Sequence, residues 1–333
     1  MKIREPQENI PMLRYMTLMH LQSSLRLLGI MSAGIALLFV ASWSVALLVY
    51  AGRLPAVFHA DATLHADSSK PVAPDSDASS AVPSGYHLTF DDEFLALSIS
   101  DEDGTGAKWH TNTVQCCMFD TSAPSTPTYM AGISAPDGQK PYSLVPGQGL
   151  AIRLQKTNGR WYSGVLATVD RHGRGFAQQY GYFEMRAKFP RAPGAWPAFW
   201  LLNSAALTEH APAGEIDVVE SFMFAPNYIN STLHDWTPPA KTVAHHLAKV
   251  ADLSDGFHTF GLLWTASTMR FSCDGQVYFT VSTPPIMQQP YYPIVDLGLG
   301  GGWPTRETPR TNNLLVRYVR VYAPDTQPTT AAQ

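Results

Sequence analysis

Apolar and polar residues alternate along this chain in three regimes. From Leu27 to Gly52 no residue carries a charge, and Arg53 closes the run. About 20 apolar residues suffice to cross a bilayer, so 27–52 is predicted to form a transmembrane helix. Lys2, Arg4, Arg14 and Arg26 precede it. Basic flanks stay in the cytoplasm, which leaves 1–26 inside and the remainder exported, periplasmic or extracellular. The competing reading is a cleavable signal peptide with Val49-Tyr50-Ala51 as its small-x-small site, which would make the remainder secreted. Signal h-regions span about 7–15 residues, fewer than this run. Residues 53–84 are dominated by Ala, Ser, Pro and Asp. Such a segment cannot bury enough surface to fold and is predicted to be a flexible, disordered linker holding the next domain off the membrane. Residues 326–333 form a tail of the same kind.

From 85 to 325 the texture changes to short β-rich runs between Gly, Pro and Asp. Strands are predicted over 86–90, 150–155, 181–189, 215–222, 257–264, 269–273, 277–281 and 314–322. None of these runs has a long helical period. Many short strands with turn signals indicate an all-β sandwich or barrel, and about 240 residues suit one such domain. Asp274-Gly275, between two of the runs, is a hairpin signal.

Composition narrows the partners. A net charge of −4 gives no reason to expect nucleic acid. Eight Trp and 14 Tyr supply flat surfaces, either for stacking on ligands or for a large β-core. Three cysteines cannot build a disulfide framework, and the odd count leaves at least one thiol free. The only adjacent histidines are His245-His246, and no metal-binding spacing such as H-E-x-x-H occurs. Nothing implies a cofactor or a metal site, or an oligomer in place of a monomeric catalytic domain.

The chemistry concentrates in 214–221, G-E-I-D-V-V-E-S. Asp and Glu are depleted from strands, yet Glu215, Asp217 and Glu220 interrupt a β-branched run. Regular alternation would put Glu215, Asp217 and Val219 on one face and Glu220 on the other. One extra residue, a bulge at Val218-Val219, would return Glu220 to the face of the other two acids. Acids that close cannot all ionise freely, so at least one carboxyl should titrate high. A carboxylate beside a protonated carboxyl is what retaining glycoside hydrolysis uses. A solvated acidic face or an oxygen-ligand calcium site is the alternative.

These residues resemble glycoside hydrolase family 16, whose active-site strand in its bulged form reads E-x-D-x-x-E. Flanking blocks agree in order: FDDEF (90–94), YGYFEMRAKFPRAPGAWPAFWLL (180–202), STLHDW (231–236), DGFHTFGLLW (255–264), RFSCDG (270–275), LGLGGGWP (297–304) and VRYVRVY (316–322). The similarity spans 86–323 and is nearest to bacterial endo-β-glycanases, including those that trim exopolysaccharide. It implies a concanavalin-like β-jelly-roll sandwich with a substrate cleft on its concave sheet. It also implies Glu215 as nucleophile, Glu220 as acid/base and Asp217 as the carboxyl tuning both. The same resemblance suggests Glu184, Arg186, Trp196, Trp200, His234 and Trp236 as substrate-binding residues, with Trp200 preferred over Trp196 for the cleft. Trp303 is expected at the cleft rim or capping the sheet, and Trp109 and Trp264 in the core. One departure bears on metal. Family members often carry Asp where this chain has Arg317, and that Asp helps hold a calcium ion. Arginine cannot ligate a cation, so the calcium is expected to be absent, with Arg317 paired instead to Glu93 or Asp92.

Overall fold

The computed structural model describes residues 82–113, 128–209 and 211–325. The predicted membrane segment, the linker up to residue 81, the tail, and Cys116 and Cys117 lie outside the described residues. Among the described residues no helix is long and apolar enough to cross a membrane.

The first strands are β1 (Tyr86–Asp92), β2 (Ile99–Ser100), β3 (Trp109–His110), β4 (Thr128–Met130), β5 (Tyr142–Val145) and β6 (Gly149–Thr157). Then come β7 (Arg160–Ser163), β8 (Val165–Ala167), β9 (Gly181–Lys188), β10 (Ala195–Asn203), β11 (Gly214–Glu220) and β12 (Tyr228–Asp235). The last are β13 (Lys241–Lys249), β14 (His258–Trp264), β15 (Thr268–Cys273), β16 (Gln276–Ser282), β17 (Tyr291–Leu299) and β18 (Thr311–Pro324). A single turn of helix, α1 (Ala205–Thr208), separates β10 from β11.

These strands form two sheets. The ten-stranded sheet runs β16-β15-β14-β9-β18-β6-β7-β4, with β1 on β18 and β5 on β6. The eight-stranded sheet runs β13-β12-β11-β10-β17-β8-β3-β2. Between them lies the main core. Alternate residues of β9 (Phe183, Met185, Ala187), β14 (Phe260, Leu262, Trp264) and β10 (Phe199, Leu201) meet there, as period-2 patterning requires. The expected all-β sandwich is present, and Trp109 and Trp264 are fully buried in it. At the expected hairpin, Cys273 faces Gln276 across Asp274 (φ 50°) and Gly275 (φ 76°), the two left-handed residues of a type I′ turn.

A second, smaller apolar cluster covers part of the other face of the eight-stranded sheet. Met130, Val165, Ala198, Trp200, Tyr292 and Ile294 belong to it. This explains why β17 is buried along its whole length: Val295 and Leu297 point into the main core while Tyr292 and Ile294 point the other way.

The ion pair expected of Arg317 is made by a different arginine. Arg320, three residues on, bonds Glu93 through Nε at 2.8 Å and also through Nη2, with Asp91 at 3.5 Å. Asp92 instead accepts from the indole of Trp109 at 2.8 Å and from the backbone N–H of Phe94. The reason is pairing phase: β1 runs along β18 with Asp91 opposite Arg320, so position 320, and not 317, meets the acids.

Candidate active site

The G-E-I-D-V-V-E strand is bulged. Asp217 pairs with Thr232 and Glu220 with Asn230, so three steps on β11 match two on β12. On the other side Asp217 faces Trp200 and Val219 faces Phe199, again with one residue extra on β11. Ile216, Val218 and Val219 all enter the main core. Two consecutive valines facing inward are the local signature of the inserted residue, and Glu215, Asp217 and Glu220 consequently share the opposite face.

Rows of paired residues build that face. Tyr292, Leu202, Glu215 and His234 form one row, Ile294, Trp200, Asp217, Thr232 and His245 the next, and Asp296, Ala198, Glu220, Asn230 and Leu247 a third. Asp296 is thus a fourth acid, 3% exposed, separated from Glu220 only by the small side chain of Ala198. It was not among the candidates. The signal was there: one acid inside the otherwise apolar YYPIVDLGL, where a buried carboxyl needs a reason.

Each acid has a specific partner. Trp196 donates its indole N–H to Glu220 Oε1 at 2.8 Å, and Trp200 donates to Asp296 Oδ1 at 2.8 Å. Trp236 donates to Glu215 Oε2 at 3.3 Å. His234 stacks on Trp236 with ring centroids 4.8 Å apart and 8° between planes. Its Nε2 lies 3.4 Å from Asp217 Oδ2 and 4.0 Å from Glu215 Oε1.

Burial dominates the titration of all four carboxyls and pushes each up to about 8. After burial, the charge of Asp217 raises both Glu215 and Glu220, and the charge of Asp296 raises Asp217. His234 and the Trp236 donor pull Glu215 back, and the Trp196 donor and His234 pull Glu220 back. Such a cluster shares protons and titrates as a unit. At neutral pH the site therefore still retains protons that ordinary carboxyls would have lost.

The substrate-binding candidates divide. Trp196, His234 and Trp236 touch the acids. Trp200 is on the acid-bearing face but only 4% exposed beneath the second apolar cluster. It positions Asp296 and offers no open ring for stacking, which corrects the preference for it over Trp196. Glu184 and Arg186 are elsewhere. They lie on β9, in the ten-stranded sheet, where Phe183 and Met185 take the core side and turn both residues away from the acids. Glu184 is fully buried, 4.0 Å from Arg320 and 3.5 Å from the Tyr322 hydroxyl, and Arg186 bonds Thr259 at 3.1 Å. The pair therefore organises the outer sheet. Trp303 is beside the site: Trp196, Phe222 and Trp303 follow one another at 5.4 and 6.0 Å. Gly301 permits this, because at φ +55° a Cβ there would sit 2.6 Å from Phe222 and 2.9 Å from Trp196.

Among the described residues two groups offer clustered metal-ligand atoms, Glu215–Asp217–His234 and His258–Cys273–Asp274. In the second, both ring nitrogens of His258 are engaged, by Asp274 at 2.7 Å and the Asp252 carbonyl at 3.2 Å. The first coincides with the acids just described.

Residues 138–318, more than half of the chain, match the family profile described as Glycosyl hydrolases family 16. The chain belongs to glycosyl hydrolase family 16. Among its relatives are two proteins of Rhizobium meliloti. It is 34% identical to endo-1,3-1,4-beta-glycanase EglC over 71% of this chain and 52% of that protein. It is 36% identical to endo-1,3-1,4-beta-glycanase ExsH over 53% of this chain and 36% of that protein. The chain thus spans about half or less of the length of these two relatives. A solved structure of SCLam, a non-specific endo-beta-1,3(4)-glucanase of family 16 crystallised with a glucan oligosaccharide, superposes with a TM-score of 0.59 at 26% identity. That match covers 76% of this chain and all of the other.

Proposed function

We propose that this chain is a retaining endo-β-glycosidase that hydrolyses a β-linked polysaccharide outside the cytoplasm. One observation carries the reading: the bulge brings Glu215, Asp217 and Glu220 out on one face, in a strand whose other residues are core. The β-1,3-1,4-glycanase and glucanase names of the relatives support a β-glucan or a similar exopolysaccharide backbone as substrate.

The two glutamates are assigned by their place in E-x-D-x-x-E. Glu215, the first of the pattern, with the Trp236 indole and His234 Nε2 beside it, attacks the anomeric carbon. Glu220 holds the proton and delivers it to the departing glycosidic oxygen as the C–O bond breaks. Glycosylation removes the charge on Glu215, and Glu220, now ionised, takes a proton from water as that water's oxygen attacks the anomeric carbon and expels Glu215. Asp217, between them and 3.4 Å from His234, keeps the shared proton within reach of both.

Two measurements test this. Proton NMR of the first products should show the β-anomer before mutarotation, whereas an initial α-anomer would exclude retention. Glu215→Ala should lose about 10³-fold or more of turnover and recover with azide, yielding a glycosyl azide of inverted configuration. Failure of rescue there, with rescue instead in Glu220→Ala to the inverted product, would exchange the two roles.

The location rests on residues 27–52. Their charge-free length and the basic residues before them support an uncleaved anchor with the sandwich on the far side of the membrane. After alkaline carbonate washing of cell membranes, the full-length chain should remain in the pellet. A shortened, freely released protein would favour cleavage.

A further inference from the structure

The loop joining β17 to β18, residues 300–310, crosses from the eight-stranded sheet to the ten-stranded one. It is tied down on the way. Gly300 N–H bonds the Gly194 carbonyl at 2.8 Å, and the Thr308 hydroxyl bonds the Pro193 carbonyl at 2.6 Å. Its first part carries Trp303 to the aromatic row beside Glu220. Its second part roofs an open pocket of about 550 Å³ lined by Lys156, Trp161, Pro304, Thr305, Arg306, Thr308 and Arg310.

The floor of this pocket is set by strand register. Leu150, Ile152 and Leu154 of β6 face the main core, so Lys156 lies on that same inner face, near the end of its strand. Lys156 pairs with Trp161 on β7 and donates its backbone N–H to the Arg310 carbonyl on the other side. The Lys156 ammonium lies 5.5 Å from the centre of the Trp161 ring. Arg306 comes down from the loop to complete three cations around one concavity.

No carboxylate lines it; Glu307, in the same loop, is outside the lining. Among the described residues none of the three cations makes an ion pair, whereas Arg171, Arg174, Arg191 and Arg320 all do. Three like charges gathered without a counter-ion, on a chain of net charge −4, create a local positive field suited to an anion. Two guanidinium forks match a carboxylate by paired hydrogen bonds. Thr305 adds a hydroxyl, and the volume is that of a small-ligand site.

We propose that this pocket is an accessory subsite for a carboxylate-bearing sugar unit of an acidic polysaccharide whose backbone lies on the acid-bearing face. Trp196, Phe222 and Trp303 lead from Glu220 to the loop, and Pro304 to Arg306 follow directly in sequence. A glycan leaving Glu220 along those rings would meet the loop that carries Arg306. The subsite rests on the hydrolase reading for what occupies the acid-bearing face, but anion capture by the pocket does not.

The test uses the full-length chain in neutral detergent with Glu215→Gln, so that no polymer is cut. Dissociation constants are measured for a neutral mixed-linkage β-glucan and for the same glucan lightly carboxymethylated, with and without Lys156→Gln, Arg306→Gln and Arg310→Gln combined. The intact pocket should prefer the carboxymethylated polymer. The triple variant should lose that preference by about tenfold, as three exposed cations acting together allow, and high salt should mimic the loss. An unchanged ratio of the two constants would overturn the proposal. Sodium glucuronate, followed by saturation-transfer NMR, reads the pocket without any polymer. Its signal should vanish in the triple variant, and persistence would overturn the proposal even if neither polymer bound and the hydrolase reading had failed. Inorganic sulfate displacing glucuronate at equal concentration would reduce the pocket to a generic anion site and also overturn it.

Discussion

At the scale of single residues, the four acids are distinguished by their donors and neighbours. Trp196 donates to Glu220 and lowers it, while burial and the charge of Asp217 raise it. Asp296 is coupled to both Glu220 and Asp217. Two substitutions should therefore move the alkaline limb of the turnover profile in opposite directions, because that limb reports loss of the Glu220 proton. Trp196→Phe keeps the ring but removes the N–H that stabilises the carboxylate, so the limb should rise by about one pH unit. Asp296→Asn keeps an acceptor for Trp200 but removes a negative neighbour, so the limb should fall by up to about one unit. Shifts of the same sign would mean the variants act through altered packing. Turnover profiles on a soluble oligosaccharide at saturation give the answer. Asp296 was legible in retrospect as a lone acid in an apolar strand. Its neighbours were not, since nothing local indicates which strand will lie beside β10.

At the scale of elements, parity along β11 is the quantity that matters. The extra residue at Val218-Val219 could be inferred because three acids and an apolar core pattern admit few arrangements that bury no charge. The same argument makes an unusual prediction. Deleting Val218 leaves E-I-D-V-E, a strand in strict alternation whose acids still share one face. The deletion variant should fold, losing about 1–3 kcal/mol of apolar burial, and retain measurable hydrolysis. Deleting Ile216 instead turns Glu215 toward the core, and that protein should not fold. Thermal unfolding and polysaccharide turnover separate the outcomes, and a folded but inert Val218 deletion would show that the kink itself sets the carboxyl geometry. Alternation reveals which residues share a face but not to which sheet a strand belongs. Glu184 and Arg186 were correctly paired on one face of β9, yet β9 sits between β14 and β18 in the other sheet. Trp200 was likewise placed on the right face, but its cover comes from Met130 and Tyr292, distant in sequence. Arg317 and Arg320 differ only in which one meets β1, and strand register settles that.

At the scale of the whole molecule, the site and the scaffold respond oppositely to pH. The four site carboxyls titrate near 8 in the folded chain, far above their values near 4 when unfolded. Between those limits the folded state binds more protons than the unfolded state, so stability falls as pH rises, by about 1.4 kcal/mol per pH unit for each proton retained. Scaffold acids act the other way. Asp170, held at about 2 by hydrogen bonds from Arg174, His172 and Gly104 despite its burial, stabilises above pH 4 and loses that contribution as pH drops toward 2. Asp103, Asp252 and Asp274 are lowered too. The domain should therefore be most stable near pH 4–5 and weaken steadily toward pH 8. Asp217→Asn, which removes one buried ionisable group that no described lysine or arginine neutralises, should match the parent at pH 4 and exceed it at pH 8. The gain should be about 1–3 kcal/mol, or several degrees in melting temperature for a domain of this size, while hydrolysis collapses. Calorimetry across pH 4–8 decides the matter. A parent melting temperature that stays level from pH 5 to 8 would mean the carboxyls ionise at little cost, leaving Glu220 without a reserve of protons to donate.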